Sequence, residues 1–183
     1  VEAHPAAGTL PRYYRRNFHY QTDGYLSAES AALYDHQVEV LFVGGAAAMR
    51  RQTMAPIREA LRGRRQQEAV LLDLACGTGG YLKFLKSNLP RLNTIGIDLS
   101  PAYAAHARAA LRPWGRVQVM QAAAEALPFA DQSLDIVTCI YLFHELPRAV
   151  REAVVREVAR VLKPGGRFVF LDSLQPGDHA PYD

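Results

Sequence analysis

Asp73 lies inside an apolar run, Val70-Leu71-Leu72-Asp73-Leu74, that leads without a break into Ala75-Cys76-Gly77-Thr78-Gly79-Gly80. A strand feeding a glycine turn makes a pocket for a small-molecule cofactor. Gly77 and Gly79 reach backbone conformations that side chains forbid, so the main chain can lie close to a ligand just before a helix starts at Gly80. A second carboxylate, Asp98, ends the next apolar run, Thr94-Ile95-Gly96-Ile97, twenty-one residues after Gly77. That is the spacing of an acidic group that grips two ribose hydroxyls one strand over.

These residues need a sheet to hold them. From Val70 onward short β-branched runs alternate with helical stretches, the pattern of a parallel sheet covered by helices on both faces. Strands are expected over Val70 to Leu74, Thr94 to Asp98, Val117 to Gln121, Leu134 to Ile140 and Arg167 to Asp172, with helices over Gly80 to Asn88, Pro101 to Leu111 and Pro147 to Leu162. Ser100 caps the second helix with Pro101 at its first position, Pro147 opens the third, and Lys163-Pro164-Gly165-Gly166 stops it. Val150, Val154, Val158, Val161 and Leu162 follow helical spacing, so one face packs on the sheet while Arg151, Arg156 and Arg160 stay wet. The chain divides into an aromatic-rich, helical N-terminal cap over residues 1–66 and a cofactor-binding core over residues 67–183.

Composition narrows the partners. At 183 residues and 49% hydrophobic content the chain can bury a single core. The net charge of +3 comes from arginines spread over several segments, so no nucleic-acid partner is indicated. The densest cluster, Arg62-Gly63-Arg64-Arg65, reads as a solvated loop before the first strand rather than a phosphate patch. Two cysteines, Cys76 and Cys139, fit a reducing compartment without a disulfide framework. No stretch has the length of a membrane span and no secretory core is visible at the N-terminus, so the cytoplasm, or an organelle interior, is the expected location. The chain starts at Val1, and a longer natural polypeptide is expected. His19, His36, His106 and His179 have no neighbours at ligand spacing, so no metal site is expected.

Together with the glycine turn and Asp98, the segments Ala126-Leu127-Pro128-Phe129-Ala130-Asp131-Gln132-Ser133-Leu134-Asp135 and Leu162-Lys163-Pro164-Gly165-Gly166 make the chain resemble class I S-adenosylmethionine-dependent methyltransferases. Within them it is nearest the small-molecule group that includes quinone C-methyltransferases. The resemblance runs from about Tyr34 to Asp172. It implies a Rossmann-like, doubly wound α/β sheet in strand order 3-2-1-4-5, with S-adenosylmethionine as cofactor, S-adenosylhomocysteine as product, and methyl transfer to carbon or oxygen of a small molecule.

Residue by residue, the resemblance places Asp73, Ala75, Cys76, Gly77 and Gly79 around the methionine part of the cofactor and Asp98 on the ribose, with Leu99 and Ser100 following. Ala123, Ala124 and Glu125 match positions beside the adenine, and Tyr141 borders the methyl group. Tyr34, in Tyr34-Asp35, matches a tyrosine-aspartate pair that precedes the first strand in quinone methyltransferases. Two departures stand out. Ala75 replaces a glycine, and Ala123 replaces the aspartate that usually meets the adenine amino group. The family sheet also ends in an antiparallel hairpin that is missing here, so either a fragment or a homodimer through the open edge beside the fifth strand is expected.

Methyl transfer from a sulfonium is an in-line displacement, so alignment is the protein's chief contribution, worth roughly 7–11 kcal/mol. His144, just past the fourth strand, is the candidate catalytic residue, as a base or as a group that orients the acceptor; the competing reading is a histidine that only caps or packs the loop. Glu145 reads as a helix-start carboxylate. Tyr14, Tyr20 and Tyr25, with Tyr13 and Phe18, would act as a lid around an apolar or aromatic acceptor, or simply pack the N-terminal segment onto the core. Two other functions fit parts of the pattern: a catalytically inactive methyltransferase-like partner subunit, and a nicotinamide-dependent dehydrogenase. The second conflicts with Gly77-Thr78-Gly79-Gly80-Tyr81-Leu82, which lacks the last glycine of a dinucleotide fingerprint.

Overall fold

A computed structural model describes residues 10–15 and 24–173. Its five strands are β1 (Val70–Leu74), β2 (Asn93–Asp98), β3 (Val117–Gln121), β4 (Leu134–Ile140) and β5 (Leu162–Leu171). All neighbouring pairs are parallel, in the order β3-β2-β1-β4-β5. Parallel strands need crossover helices, and α4 (Gly80–Asn88), α5 (Pro101–Leu111) and α6 (Arg148–Val161) supply three of them. Three more helices precede the sheet, α1 (Ala28–Leu41), α2 (Ala46–Arg51) and α3 (Met54–Ala60).

The strands that must be buried on both faces are the apolar ones. β1 and β4 read as near-continuous hydrophobic runs and lie at the centre, while β3, with polar Gln118 and Gln121, takes an edge. One core forms between the sheet and the α3, α4 and α5 side, around Ile57, Leu71, Leu82, Leu85 and Leu111. The other forms under α6, around Leu72, Leu74, Val137, Val154, Val158 and Val161. Gly96 on β2 permits the first of these to close. A Cβ there would stand 2.6 Å from Leu82 Cδ1 and 2.9 Å from Cys76 Sγ, so any larger residue would push α4 and the glycine turn off the sheet.

Two details differ from the reading of the sequence. β5 begins at Leu162, where expectation began it at Arg167: Leu162 pairs with Leu134 directly after α6 ends, and the ladder resumes at Ile136 and Arg167. Lys163 to Gly166 form an irregularity inside the strand, where Pro164 has no amide to donate and Gly165 turns through φ +78°. The segment expected as a cap also divides in its packing. α1 lies against α5, whereas α3 packs on β4 and β5 and puts Met54, Ile57 and Leu61 into the core. That end of the sheet has no crossover helix on this face, and α3 covers it.

Basic residues before β1 are consumed by local pairing. Arg62 pairs with Glu59, Arg65 with Glu68, and Arg64 donates to Asp135 at 2.9 Å. Asp135 also accepts from Lys163 at 3.0 Å and from the Val70 amide at 2.9 Å. It therefore ties β1, β4 and β5 together, and no patch of unpaired positive charge remains in that loop.

Candidate cofactor and acceptor site

The strand order reverses between β1 and β4, which opens a crevice at their carboxyl ends, the place where open parallel sheets bind ligands. The turn leaving β1 is held in three successive left-handed backbone positions, Ala75 at φ +51°, Gly77 at +57° and Gly79 at +83°. Gly79 is the N-cap of α4. Asp98, at the end of β2, fixes this turn: Oδ2 accepts the Gly77 amide at 2.8 Å, and Oδ1 accepts the Ser100 amide at 2.8 Å. Ser100 in turn caps α5, its Oγ accepting the Tyr103 amide at 3.3 Å. Burial pushes Asp98 up to about 6, against these two amides. Each carboxylate oxygen has a second lone pair, and Asp98 lines the crevice.

Two cavities meet there. The first takes Ala75 and Gly77 from the β1 turn, Asp98 and Leu99 from β2, Ala122, Ala124 and Glu125 after β3, and Tyr141, Leu142, Glu145 and Leu146 after β4. Tyrosines 13, 14, 25, 34 and 103 complete its wall. Tyr25, Tyr34 and Tyr103 meet one another edge to face with centroids 5.5–6.0 Å apart. The short 3₁₀ turn Arg12–Arg15 brings in Tyr13 and Tyr14, with the Tyr13 hydroxyl donating to Glu125 Oε1 at 2.6 Å. Only about 100 Å³ of open space is left, below the roughly 300–1,000 Å³ usual for ligand sites. The second cavity, about 600 Å³, lies between α1 and the loop after β4 and shares Tyr25, Tyr34, Tyr141 and Glu145 with the first.

Not every expected site residue faces open space. Asp73 is buried behind the turn, where its Oδ1 accepts the Thr138 hydroxyl at 2.6 Å. Burial raises it to about 7, with Thr138 and the charge of Arg50 pulling the other way. Cys76 packs against Gly96, and its thiol is pushed well up by burial, which makes it an inert apolar filler. Gly79 and Ser100 act as caps, and Ala122 lines the cavity where Ala123 does not. Tyr14, Tyr25, Tyr34, Leu99, Ala124, Glu125 and Tyr141 all line it. Tyr20 lies outside the described residues.

His144 sits on a 3₁₀ turn, Phe143–Glu145, on the wall of the second cavity. Its Nδ1 is 2.5 Å from Asp172 Oδ1, and Nε2 is 3.5 Å from Glu145 Oε1. Asp172 also accepts the Phe143 amide at 2.7 Å, so one carboxylate just past β5 holds both the ring and the turn that carries it. The Asp172 and Glu145 carboxylates raise His144 to about 9 against burial. At neutral pH it is an imidazolium, a donor rather than a base. Beside it Tyr141, itself at φ +57°, stacks on Phe42 at 5.0 Å and donates its hydroxyl to Met49 Sδ.

Reading the sequence missed Arg50, Tyr103 and Asp172. Asp172 was recoverable, because an acidic residue ending β5 must lie beside the end of β4 in this strand order. Tyr103 follows from its place in the first turn of α5. Arg50 carried no local signal, since its position depends on how α2 packs.

Residues 71–166, just over half the chain, match the family of methyltransferase domains. A ubiquinone/menaquinone biosynthesis C-methyltransferase of Syntrophotalea carbinolica is 35% identical over 129 residues, 69% of this chain and 52% of that protein. A demethylmenaquinone methyltransferase of Thermus thermophilus is 39% identical over 107 residues, 58% of this chain and 48% of that protein. Among solved structures, YcgJ of Bacillus subtilis matches with a TM-score of 0.59 at 30% identity, covering 70% of this chain and 53% of that one. The chain spans about half the length of the curated relatives it matches. A parallel 3-2-1-4-5 sheet, a glycine turn clamped by the acidic residue one strand over, and these matches lead to one assignment, which sets the dehydrogenase aside: the chain belongs to the class I S-adenosylmethionine-dependent methyltransferase family.

Proposed function

We propose that the chain binds S-adenosylmethionine in the first cavity and transfers its methyl group to carbon or oxygen of a small molecule held in the second. The observation that carries this is the contiguity of two cavities of different character at the switch point, joined at Tyr25, Tyr34, Tyr141 and Glu145. The lining chemistry fits the cofactor. Asp98 is aimed by two backbone amides and keeps acceptor capacity for two adjacent hydroxyls. Leu99, Ala124, Leu142 and Leu146 offer apolar walls for a flat base, with Glu125 as the polar group in the place where the family has an aspartate two residues earlier. The tyrosine faces suit a sulfonium, at about 0.5–2 kcal/mol each.

When bound, the cofactor supplies a methyl group activated by a positively charged sulfur. The chain's own residues then have to position and exclude. Val38, Val40, Leu41 and Phe42 of α1 and its end give the second cavity an apolar wall, with His144 as a fixed positive donor. An aromatic or quinone-like acceptor bearing an ionised or hydrogen-bonding oxygen fits that pairing, and the names of the two quinone-methylating relatives favour it. His144 thus orients the acceptor oxygen and stabilises its anion, and it becomes a base only above its raised pKa. The two buried free thiols are compatible with the reducing cytoplasm. Pairing of two copies along β5, where Phe170 is half exposed, is the assembly this reading retains; light scattering of the purified protein decides it.

Calorimetry with S-adenosylmethionine and S-adenosylhomocysteine tests the core of the reading, with micromolar binding of both expected. A folded protein that binds neither would overturn it. Labelled methyl transfer to a panel of phenols, hydroquinones and carboxylates then identifies the acceptor class. Binding without turnover on any of them would favour an inactive partner subunit.

A further inference from the structure

Tyr13 and Tyr14 are neighbours on the Arg12–Arg15 turn, and each meets a different polar group of the proposed nucleoside site. The Tyr13 hydroxyl donates at 2.6 Å to Oε1 of Glu125, the group placed beside the base. The Tyr14 hydroxyl is hydrogen-bonded with the Ser100 side chain and lies in the field of Asp98, the group placed on the ribose. Tyr13 packs on the same apolar cluster as Ala122 and Ala124, and Tyr14 on the same cluster as Leu99. A flat ring with a polar edge between apolar walls, and a hydroxyl beside an acidic residue, are features of a nucleoside. Here the chain supplies both from its own side chains.

The space left over agrees. With the turn in place the first cavity keeps about 100 Å³, against the roughly 300–1,000 Å³ of an ordinary ligand site. The second cavity, which neither Tyr13 nor Tyr14 lines, keeps about 600 Å³. The shortage is therefore confined to the cavity that these two tyrosines wall. Nor is the turn held without cost. None of its four residues is fully buried, yet Arg15 Nε at its end is closed off from solvent with no hydrogen-bond partner among the described residues. A buried donor left unpaired opposes the closed arrangement, so a ligand that satisfies Glu125 and Asp98 can displace the turn.

We infer that the Arg12–Arg15 turn is an internal occupant of the cofactor site, closing it in the free protein and withdrawing when the nucleoside enters. The inference rests on the nucleoside site proposed above. It turns cofactor binding into a competition, in which the apparent affinity is the intrinsic one reduced by the fraction of molecules whose turn is out. Whatever loosens or tightens the turn then raises or lowers affinity without touching the residues that hold the ligand.

Two of the turn's residues, Arg12 and Arg15, are trypsin sites, and they give the test its first readout. Saturating S-adenosylhomocysteine is expected to speed cleavage after Arg12 and Arg15 about fivefold or more, followed by mass spectrometry, while cuts elsewhere in the chain slow. Slower or unchanged cleavage at these two bonds, in a protein that binds the ligand, overturns the inference. The second readout is stopped-flow fluorescence of the double variant Tyr13→Phe, Tyr14→Phe. Its association rate constant for S-adenosylhomocysteine should rise about fivefold or more and its dissociation rate stay within about twofold, because the lost hydroxyls act only in the free protein. Unchanged association, or dissociation that is severalfold faster, would mean that the tyrosines hold the ligand, and the inference fails. If the folded, unmodified protein shows no S-adenosylhomocysteine binding by calorimetry, the nucleoside site itself is wrong and this inference goes with it.

Discussion

The amide of Gly77 donates to Asp98 Oδ2 across 2.8 Å, so the carboxylate that ends β2 fixes the turn that leaves β1. The same side chain takes the Ser100 amide on its other oxygen and thereby sets the start of α5. One residue therefore shapes the glycine turn and presents acceptor lone pairs to the cavity.

Asp98→Ala should consequently lose both roles. Affinity for S-adenosylhomocysteine should fall more than tenfold, since a charge-assisted contact is worth about 1.5–3 kcal/mol. The ligand-free protein should melt lower as well, with two buried amides left without an acceptor. Titration gives a cleaner test, because it leaves the side chain in place. Burial raises Asp98 from its ordinary value to about 6, so its contribution to folding is fully present below its unfolded value near 4 and is lost as pH rises through 6. Ribose hydroxyls need the ionised form, so binding should run the other way and weaken as pH drops from 7 to 5. A binding constant flat over that range would place the ribose elsewhere.

Tyr13 offers a second test, this time of access. Its hydroxyl pins the Arg12–Arg15 turn to Glu125 over a cavity with little open volume. If this turn must swing out to admit the nucleoside, Tyr13→Phe removes a bond worth about 1–1.5 kcal/mol and should raise affinity severalfold in calorimetry. A fall in affinity would show instead that Tyr13 closes over the bound ligand and contributes to holding it.

The strands and helices were legible because they follow from patterns that are local in sequence: apolar runs of strand length, glycine and proline stops, a Ser100-Pro101 cap; their order in the sheet came only from the family resemblance. Asp98 was legible because its spacing from Gly77 is fixed by one strand-turn-helix-strand unit. What escaped were residues whose roles depend on packing between distant segments. Arg50 on α2 lies beside the start of α4, thirty residues further along the chain. Asp172 meets His144 only once β5 lies beside β4. The start of β5 was misplaced for a related reason, since Pro164 and the two glycines look like a loop while Leu162 before them already pairs with Leu134.

The His144–Asp172 pair predicts a specific pH dependence. Asp172 and Glu145 raise His144 to about 9, and Asp172 is lowered by the same contact against its burial. The histidine contributes stability that is fully present below its unfolded value near 6.5 and is lost as pH climbs through 9; the aspartate contributes above its unfolded value near 4. The pair is strongest between about pH 4 and 6.5. Asp172→Asn should bring the His144 titration, followed by NMR of the imidazole protons, down toward 6.5, and should remove the stability loss between pH 6.5 and 9. An unmoved titration would mean that Glu145 alone sets the charge.

Ala75 is the last residue whose conformation makes a claim. It stands at φ +51° in the turn, a left-handed position that glycine takes without strain. An alanine in the left-handed region costs about 1–2 kcal/mol, and replacing it with glycine restores roughly 0.5–1 kcal/mol of unfolded-state entropy that works against folding. The difference favours Ala75→Gly by up to about 1.5 kcal/mol, or up to about 3–6 °C in melting temperature for a chain of this size. Ala75 lines the cavity with a single methyl group, so cofactor affinity should change less than twofold. If the variant instead melts lower while binding is unchanged, the turn is not strained at this position. If binding collapses with stability preserved, the alanine methyl is itself a contact for the ligand, and the departure from glycine is a feature of recognition rather than a tolerated strain.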